Sequence, residues 1–269
     1  MAGSIRPFAL RLLMTMTLAF VLPPSSSSFL SRLDPRWKLA SLLIAAALTA
    51  TLHSLPTTVV ALVGALLLAW LGRLPLHWFL QRFRAIALFI ALLTLPLPWL
   101  LTDEAGVGSI GSLHFSWRGL EVGCLIAAKA ATLATLFLVI EATAPLEVNL
   151  KAAHSLRVPG LIVQLSLLTY RYVFVLSDEL RRLRIALRVR GYRNRPSRHS
   201  YRTAGHLAGT LLVRGYERAE RVGQAMRCRG FDGQFRSLTS FKTRPIDVLM
   251  FLLITMSAAA LIAWDRFAA

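Results

Sequence analysis

Two seven-residue stretches carry the same chemistry. Ala186-Leu187-Arg188-Val189-Arg190-Gly191-Tyr192 and Ala225-Met226-Arg227-Cys228-Arg229-Gly230-Phe231 both read Ala, large apolar, Arg, x, Arg, Gly, aromatic, 39 residues apart. A guanidinium presents a planar fork of N–H donors that grips a carboxylate through two parallel hydrogen bonds, which an ammonium cannot copy. A glycine just after a helix supplies the left-handed residue that closes its C-terminus, and a nearby arginine complements the negative end of the helix dipole. One copy would read as a capped helix end and nothing more. Two copies, each with an arginine at the end of a long amphipathic helix, read as two equivalent plugs for two equivalent acidic sockets.

Other chemistry is thin. The six histidines, His53, His77, His114, His154, His199 and His206, are scattered, with no HExxH and no Gly-x-Ser-x-Gly. No phosphate-binding loop is present, so the chain is not expected to hydrolyse ATP itself. Asp178-Glu179 beside Arg181-Arg182 reads as a solvated ion cluster. Cys124 and Cys228 have neither paired nor metal-ligand spacing, which speaks for a reducing compartment around Cys228 and against a disulfide framework. No converging His, Cys or carboxylate set offers a metal site. The sequence therefore predicts no catalytic residues, no metal ligands and no cofactor in this chain.

The elements that must carry the twin stretches are legible from periodicity. Leu161 to Arg190 contains no Gly or Pro, and Leu161, Leu165, Leu168, Tyr172, Val175, Leu176, Leu183 and Leu187 recur at helical spacing. That predicts one helix of roughly 45 Å, stopped by Gly191. After a polar turn from Tyr192 to Ser200, a second helix is predicted from about Tyr201 to Arg229, its apolar stripe marked by Ala204, Leu207, Leu211, Gly215, Ala219, Val222 and Met226. Ahead of both, Pro145 suits a helix start, and Pro159-Gly160 a break.

The rest of the chain is apolar. Of 269 residues 55% are hydrophobic and 16% charged, the balance of a protein dissolved in lipid. It is also basic, with 31 Lys+Arg against 13 Asp+Glu and a net charge of +18. From Thr143 to Arg244 there are 20 Lys+Arg and 6 Asp+Glu, so +14 of that excess lies in one block. A membrane-crossing helix needs about 20 apolar residues. Five spans are predicted: Leu39–Leu55 and Thr57–Leu71 as a tight hairpin, Ala85–Leu101 interrupted by Pro96 and Pro98, Gly119–Ile140, and Ile246–Trp264. The expected fold is all-α, a polytopic helical bundle with long extramembrane helices.

Positive residues are retained on the cytoplasmic side of bacterial membranes. Arg32, Arg36 and Lys38 precede the first span, Arg73, Arg82 and Arg84 lie between the second and third, and the basic block lies between the fourth and fifth. The loops His53–Thr58 and Thr102–Trp117 contain no Lys or Arg. This alternation predicts a cytoplasmic basic block. The first thirty residues, with Arg6 and Arg11 before an apolar run from Leu12 to Leu22, imitate a signal peptide but lack a small-x-small cleavage pattern, and are read as an N-terminal extension. Lys129, midway along the fourth span, is expected to face the bundle interior and pair with a backbone carbonyl or an acid.

From about Leu33 to Trp264 the sequence resembles the transmembrane T component of energy-coupling-factor transporters, most closely the CbiQ type associated with cobalt. The resemblance rests on Leu33-Asp34-Pro35-Arg36-Trp37-Lys38-Leu39, Thr143-Ala144-Pro145-Leu146-Glu147, Tyr170-Arg171-Tyr172 with Asp178-Glu179, and above all Arg214-Gly215-Tyr216-Glu217-Arg218-Ala219-Glu220-Arg221-Val222 leading into Ala225 to Gly233. It implies an extension (1–32), four spans (33–142), a cytoplasmic coupling-helix region (143–245) and a last span (246–269). It further implies that Val189-Arg190-Gly191 and Cys228-Arg229-Gly230 are the tips of coupling helices, with Ala186 and Ala225 beside them. Each arginine would dock in one subunit of an ABC-type ATPase dimer, which binds the ATP. Arg188, Arg227, Glu217, Arg218, Glu220 and Arg221 would support the helices. A separate substrate-binding S component would complete the transporter in the bacterial inner membrane. Such families commonly show Ala or Ser where Val189 and Cys228 stand, a departure that leaves the arginines in place.

Cobalt, or nickel, follows from this likeness alone; a T component serving a vitamin is the nearest alternative. A membrane-anchored nucleic-acid binder would use the positive block on phosphates. However, its arginines alternate with apolar helical positions and no groove-reading or base-stacking motif accompanies them. An intramembrane enzyme lacks paired acids within any span. Arg181, Arg182 and Arg184 suit anionic lipid headgroups at the bilayer surface.

Overall fold

The computed structural model describes Leu30 and residues 33–100, 107–110, 113–193, 195–231 and 243–268. The predicted extension over residues 1–32 and the Asp232-Gly233 end of the motif lie outside these residues, Leu30 apart. The described elements are α1 (Pro35–Ala50), α2 (Leu55–Leu71), α3 (Leu76–Thr94), α4 (Leu97–Leu100), β1 (Val107–Ile110), β2 (Leu113–Ser116), α5 (Trp117–Thr143), α6 (Leu146–Ser155), α7 (Gly160–Val189), α8 (Arg198–Cys228) and α9 (Pro245–Ala268). The chain forms two compact units. One holds α1 to α6 and α9; the other holds α7 and α8. The short helix α6, which begins the basic block, packs on α1 and so belongs to the first unit.

In the first unit α1 starts at Asp34, whose side chain accepts the Arg36 N–H while Pro35 takes the first helical position. The core joins α1, α2, α5 and α9 through Leu42, Ala45, Ala65, Ala69, Leu136, Val139 and Ala258. Buried Ala61, Ala65 and Ala69 recur every four residues along α2, which lets backbones approach closely where lipid provides no hydrophobic drive between helices. Buried Thr132 and Thr135 return their hydroxyl protons to Ala128 and Ala131 one turn earlier, at 2.7 Å each. Large apolar side chains such as Leu66, Leu88, Leu92, Phe137, Leu253 and Phe267 point outward. A unit with small residues inside and large apolar ones outside is built for an apolar solvent.

Among the described residues four helical stretches are long and apolar enough to cross a membrane: Leu76–Trp99, Trp117–Thr143, Gly160–Val189 and Pro245–Phe267; α2 is a shorter apolar helix. Three expected spans are among them. The first, α1, has 16 residues, ending at Ala50 before the Thr51–Ser54 turn. Gly160–Val189 joins the set because its first half is largely apolar and carries no charge apart from Arg171.

The third span differs from its prediction in where it begins. α3 starts at Leu76, directly after Pro75, so Arg82 and Arg84 lie inside the helix instead of in the loop. Arg82 is tolerated there because its guanidinium lies 4.3 Å from the Trp78 ring centroid and pairs with Glu141 of α5. Glu141→Leu would strand this cation and is expected to cost about 2 kcal/mol. The double variant Arg82→Met/Glu141→Leu should recover most of it, measured as thermal stability of the detergent-solubilised chain.

The segment read as a plain loop holds a hairpin, β1 pairing antiparallel with β2 from Val107↔Ser116 to Ile110↔Leu113. Its sequence signal is the Gly111-Ser112 dipeptide between two runs of strand-forming residues. Lys129 donates to the carbonyl of Ala50, the last residue of α1, at 3.3 Å, so the cation sits at the negative end of a neighbouring helix.

Both ends of α9 are fastened by a buried aspartate. Asp247 accepts the Asp34 N–H at 3.0 Å and the Arg244 N–H at 2.8 Å. Asp265 accepts the N–H groups of His53 (2.8 Å) and Ser54 (3.0 Å) and the Thr57 hydroxyl (2.7 Å), together with the Ser54 hydroxyl, at the start of α2. The two acids are 18 residues apart, about 27 Å along the helix and close to the thickness of the hydrocarbon layer.

Candidate functional site

The second unit carries every residue singled out for coupling. α7 stops because Gly191 turns left-handed, with φ +80°, and α8 stops because Gly230 does the same, with φ +77°. At the first tip the Gly191 N–H donates to the Arg188 carbonyl and the Tyr192 N–H to that of Leu187, both at 3.0 Å. At the second, the Gly230 N–H donates to Arg227 at 3.0 Å and the Phe231 N–H to Met226 at 3.1 Å. These are two complete Schellman motifs, with Arg190 and Arg229 at the cap position of each helix. The backbones of the two arginines also match, φ −80° and ψ 12° against φ −90° and ψ 11°. The 39-residue echo in sequence is thus an echo in conformation.

A β-carbon placed on Gly191 or Gly230 would meet no atom within 4 Å, so the glycines are required by their dihedral angles and not by crowding. Gly191→Ala and Gly230→Ala are each expected to cost about 1 kcal/mol and to fray the last turn, read as faster amide exchange at residues 187–192 or 226–231.

The tips are open. Arg190, Arg229, Arg188, Arg227, Ala186, Ala225 and Cys228 are exposed, and Val189 is 82% exposed, high for a large apolar side chain. The carbonyl of Ala186 accepts the Arg190 N–H at 3.2 Å. Each tip offers an exposed guanidinium beside a small or apolar neighbour, a shape suited to an acidic pocket in another protein.

Of the supporting residues, Glu217 and Arg221 form an i,i+4 pair at 3.9 Å along α8, and Glu220 lies exposed on the same helix. Arg218 does something the sequence reading did not anticipate. Glu179 of α7 is ion-paired with Arg214 and, at 3.9 Å, with Arg218, both on α8. The expectation that Glu179 belongs to a local solvated cluster with Arg181 and Arg182 gives way to a bridge between helices. The one available signal was the echo, since Glu179 and Arg218 are themselves 39 residues apart. Among the described residues no three His, Cys, Asp or Glu side chains are grouped to hold a metal ion. What this unit offers chemically is exposed guanidinium on stiff helices.

Comparison with known proteins addresses the family. The sequence profile of the family described as CbiQ, "Cobalt transport protein", matches residues 26–241. The chain is 33% identical over 225 residues to the cobalt transport protein CbiQ of Rhodobacter capsulatus, covering 81% of this chain and 86% of that one. It is 29% identical over 239 residues to the nickel permease LarQ of Lactiplantibacillus plantarum, covering 88% and 78%. With an uncharacterized protein of Methanocaldococcus jannaschii it shares 25% identity over 245 residues, covering 89% and 84%. A match over most of the chain, on a helical bundle with several membrane-length apolar helices, carries one conclusion. The protein belongs to the CbiQ family of cobalt transport proteins and is a permease-type membrane protein.

Proposed function

We propose that this chain is the coupling subunit of an energy-coupling-factor transporter for cobalt or nickel, joining an ABC-type ATPase dimer to a substrate-binding membrane partner. The observation that carries this reading is the pair of matching Schellman tips, each ending in an exposed arginine. Two equivalent plugs suit a dimer with two equivalent grooves. Nucleotide binding would draw the grooves together and the tips with them, and the long helices would change the surface offered to the substrate-binding subunit. Such a shift requires that the partners bind the two arrangements differently.

Orientation supports the same reading. The basic stretch on α7 and α8 belongs on the cytoplasmic side, where the ATPases are. If α7 crossed the membrane, Arg190 and the whole of α8 would lie outside, which that charge distribution opposes. With α7 at the cytoplasmic face both tips stand on the cytoplasmic side. The relatives named for cobalt and nickel support a divalent transition metal as cargo. The metal-binding groups are assigned to the partner subunit.

The reading is tested by purifying a tagged chain from its native cells and by measuring cobalt and nickel uptake by mass spectrometry. ATPase subunits should co-purify, and uptake of one of the two metals should require this chain. Uptake of neither metal, or purification without an ATPase, would refute it.

A further inference from the structure

The coupling helices meet near their midpoints. Leu176 of α7 lies 3.8 Å from where a β-carbon of Gly215 would stand, and Glu179, one turn further along α7, reaches the two arginines that flank that glycine on α8. Leu176 and Gly215 are related by the same 39-residue interval as the tips. Consequently Leu176 to Arg190 and Gly215 to Arg229 are both fourteen residues, about 21 Å of helix. The meeting point is therefore equidistant from the two tips along the helices.

Its electrostatics are uneven. Glu179 is hydrogen-bonded to Arg214, while Arg218, one turn along α8, stands with Nη2 at 3.9 Å from Oε2, the outer edge of an ion pair. Arg214, Arg218 and Glu179 have side chains 50%, 40% and 22% exposed. Pairs exposed to this degree are individually weak, so a carboxylate can leave one partner for another. Between the two arginines Gly215 presents no side chain, and Leu176 faces bare backbone.

We propose that Glu179 is the pivot of the crossing: it holds Arg214 in this structure and passes to Arg218 when the angle between α7 and α8 changes. The inference rests on the coupling reading for its purpose, but not for its geometry. One-turn exchanges of partner are a recognised way for packed helices to hold two discrete arrangements. A carboxylate that always retains one of two guanidiniums lets the arms turn without separating. Glu179 is thus a positioning residue, acting on transport through the arginine tips.

The test uses the full chain in nanodiscs, alone and with its ATPase and membrane partners. Spin labels go at Ile185→Cys and Gln224→Cys, exposed sites at equivalent places near the two tips, in a Cys124→Ser/Cys228→Ser background. The distance distribution of the chain alone should be narrow and should broaden in Glu179→Gln. In the complex, Glu179→Gln should retain the ATPases and lose about tenfold in metal transported per ATP hydrolysed. Reversal of all three charges, Glu179→Arg with Arg214→Glu and Arg218→Glu, should restore both readouts, which assigns the effect to this triad. Arg218→Gln should leave the width of the chain alone unchanged yet lower metal transported per ATP, which a static Glu179–Arg214 bridge would not do. An unchanged width in Glu179→Gln, or a reversal variant as broad as Glu179→Gln, overturns the pivot. Broadening in Glu179→Gln, with a wild-type chain that is narrow but binds no ATPase, would sink the coupling reading while upholding the pivot.

Discussion

A chain carrying Arg190→Glu and Arg229→Glu should insert into the membrane at normal levels, lose its ATPase subunits on purification and support no metal uptake above background. Both positions are exposed, so the exchange should spare folding. Truncating one partner of a desolvated, hydrogen-bonded charge pair costs about 2–5 kcal/mol, and reversing its sign adds repulsion. Taking about 2 kcal/mol per tip, each single variant loses roughly 30-fold in affinity and the double variant roughly 1,000-fold. Arg190→Lys and Arg229→Lys keep the charge and lose the fork, and should fall between wild type and glutamate. Arg188→Gln and Arg227→Gln, exposed but short of the cap position, should have smaller effects. A double glutamate variant that still co-purifies with ATPase and transports metal would exclude docking through the tips. Glycine variants separate capping from the proposed docking: they disturb the cap while leaving the guanidinium, so they should weaken ATPase binding without abolishing it.

The second large effect concerns stability. Asp265→Leu should lower the thermal midpoint of the solubilised chain by on the order of 10 °C, because the buried carboxylate is the acceptor for the His53 and Ser54 N–H groups and for the hydroxyls of Ser54 and Thr57. Removing it leaves several donors unsatisfied and costs about 3 kcal/mol, whereas replacing donors and acceptor together would cost less. Asp265→Asn keeps one carbonyl oxygen and should be milder. Asp247→Leu, at the other end of α9, frees the Asp34 and Arg244 N–H groups and should fall between the two. Equal midpoints for Asp265→Leu and wild type would show that α9 is held by its apolar face and not by its ends.

Much of this architecture is local, and local features are readable in a chain of residues. The Gly191 and Gly230 stops follow from the absence of a β-carbon, and the arginine before each glycine follows from adjacency. The lengths of α7 and α8 follow from an apolar period and the absence of Pro. Ser197 illustrates the limit of that approach: its hydroxyl accepts the Ser200 N–H and starts α8 at Arg198, three residues before the periodicity becomes visible. The start of α3 was missed for a related reason. Arg82 and Arg84 look like loop residues until Glu141, 59 residues away, supplies the countercharge.

By itself, then, the sequence determined the helices, their stops, the doubled arginine tip and the apolar exterior, because each depends on a residue's own backbone preference or on neighbours within one or two turns. Only the tertiary structure decided the partners of Glu179, Asp247, Asp265 and Lys129. Apart from the local bond from the Arg244 N–H to Asp247, those bonds join residues 35 to 213 positions apart. Several acceptors compete for every such donor, and which pair meets depends on how whole helices pack, a property that no short window of residues contains.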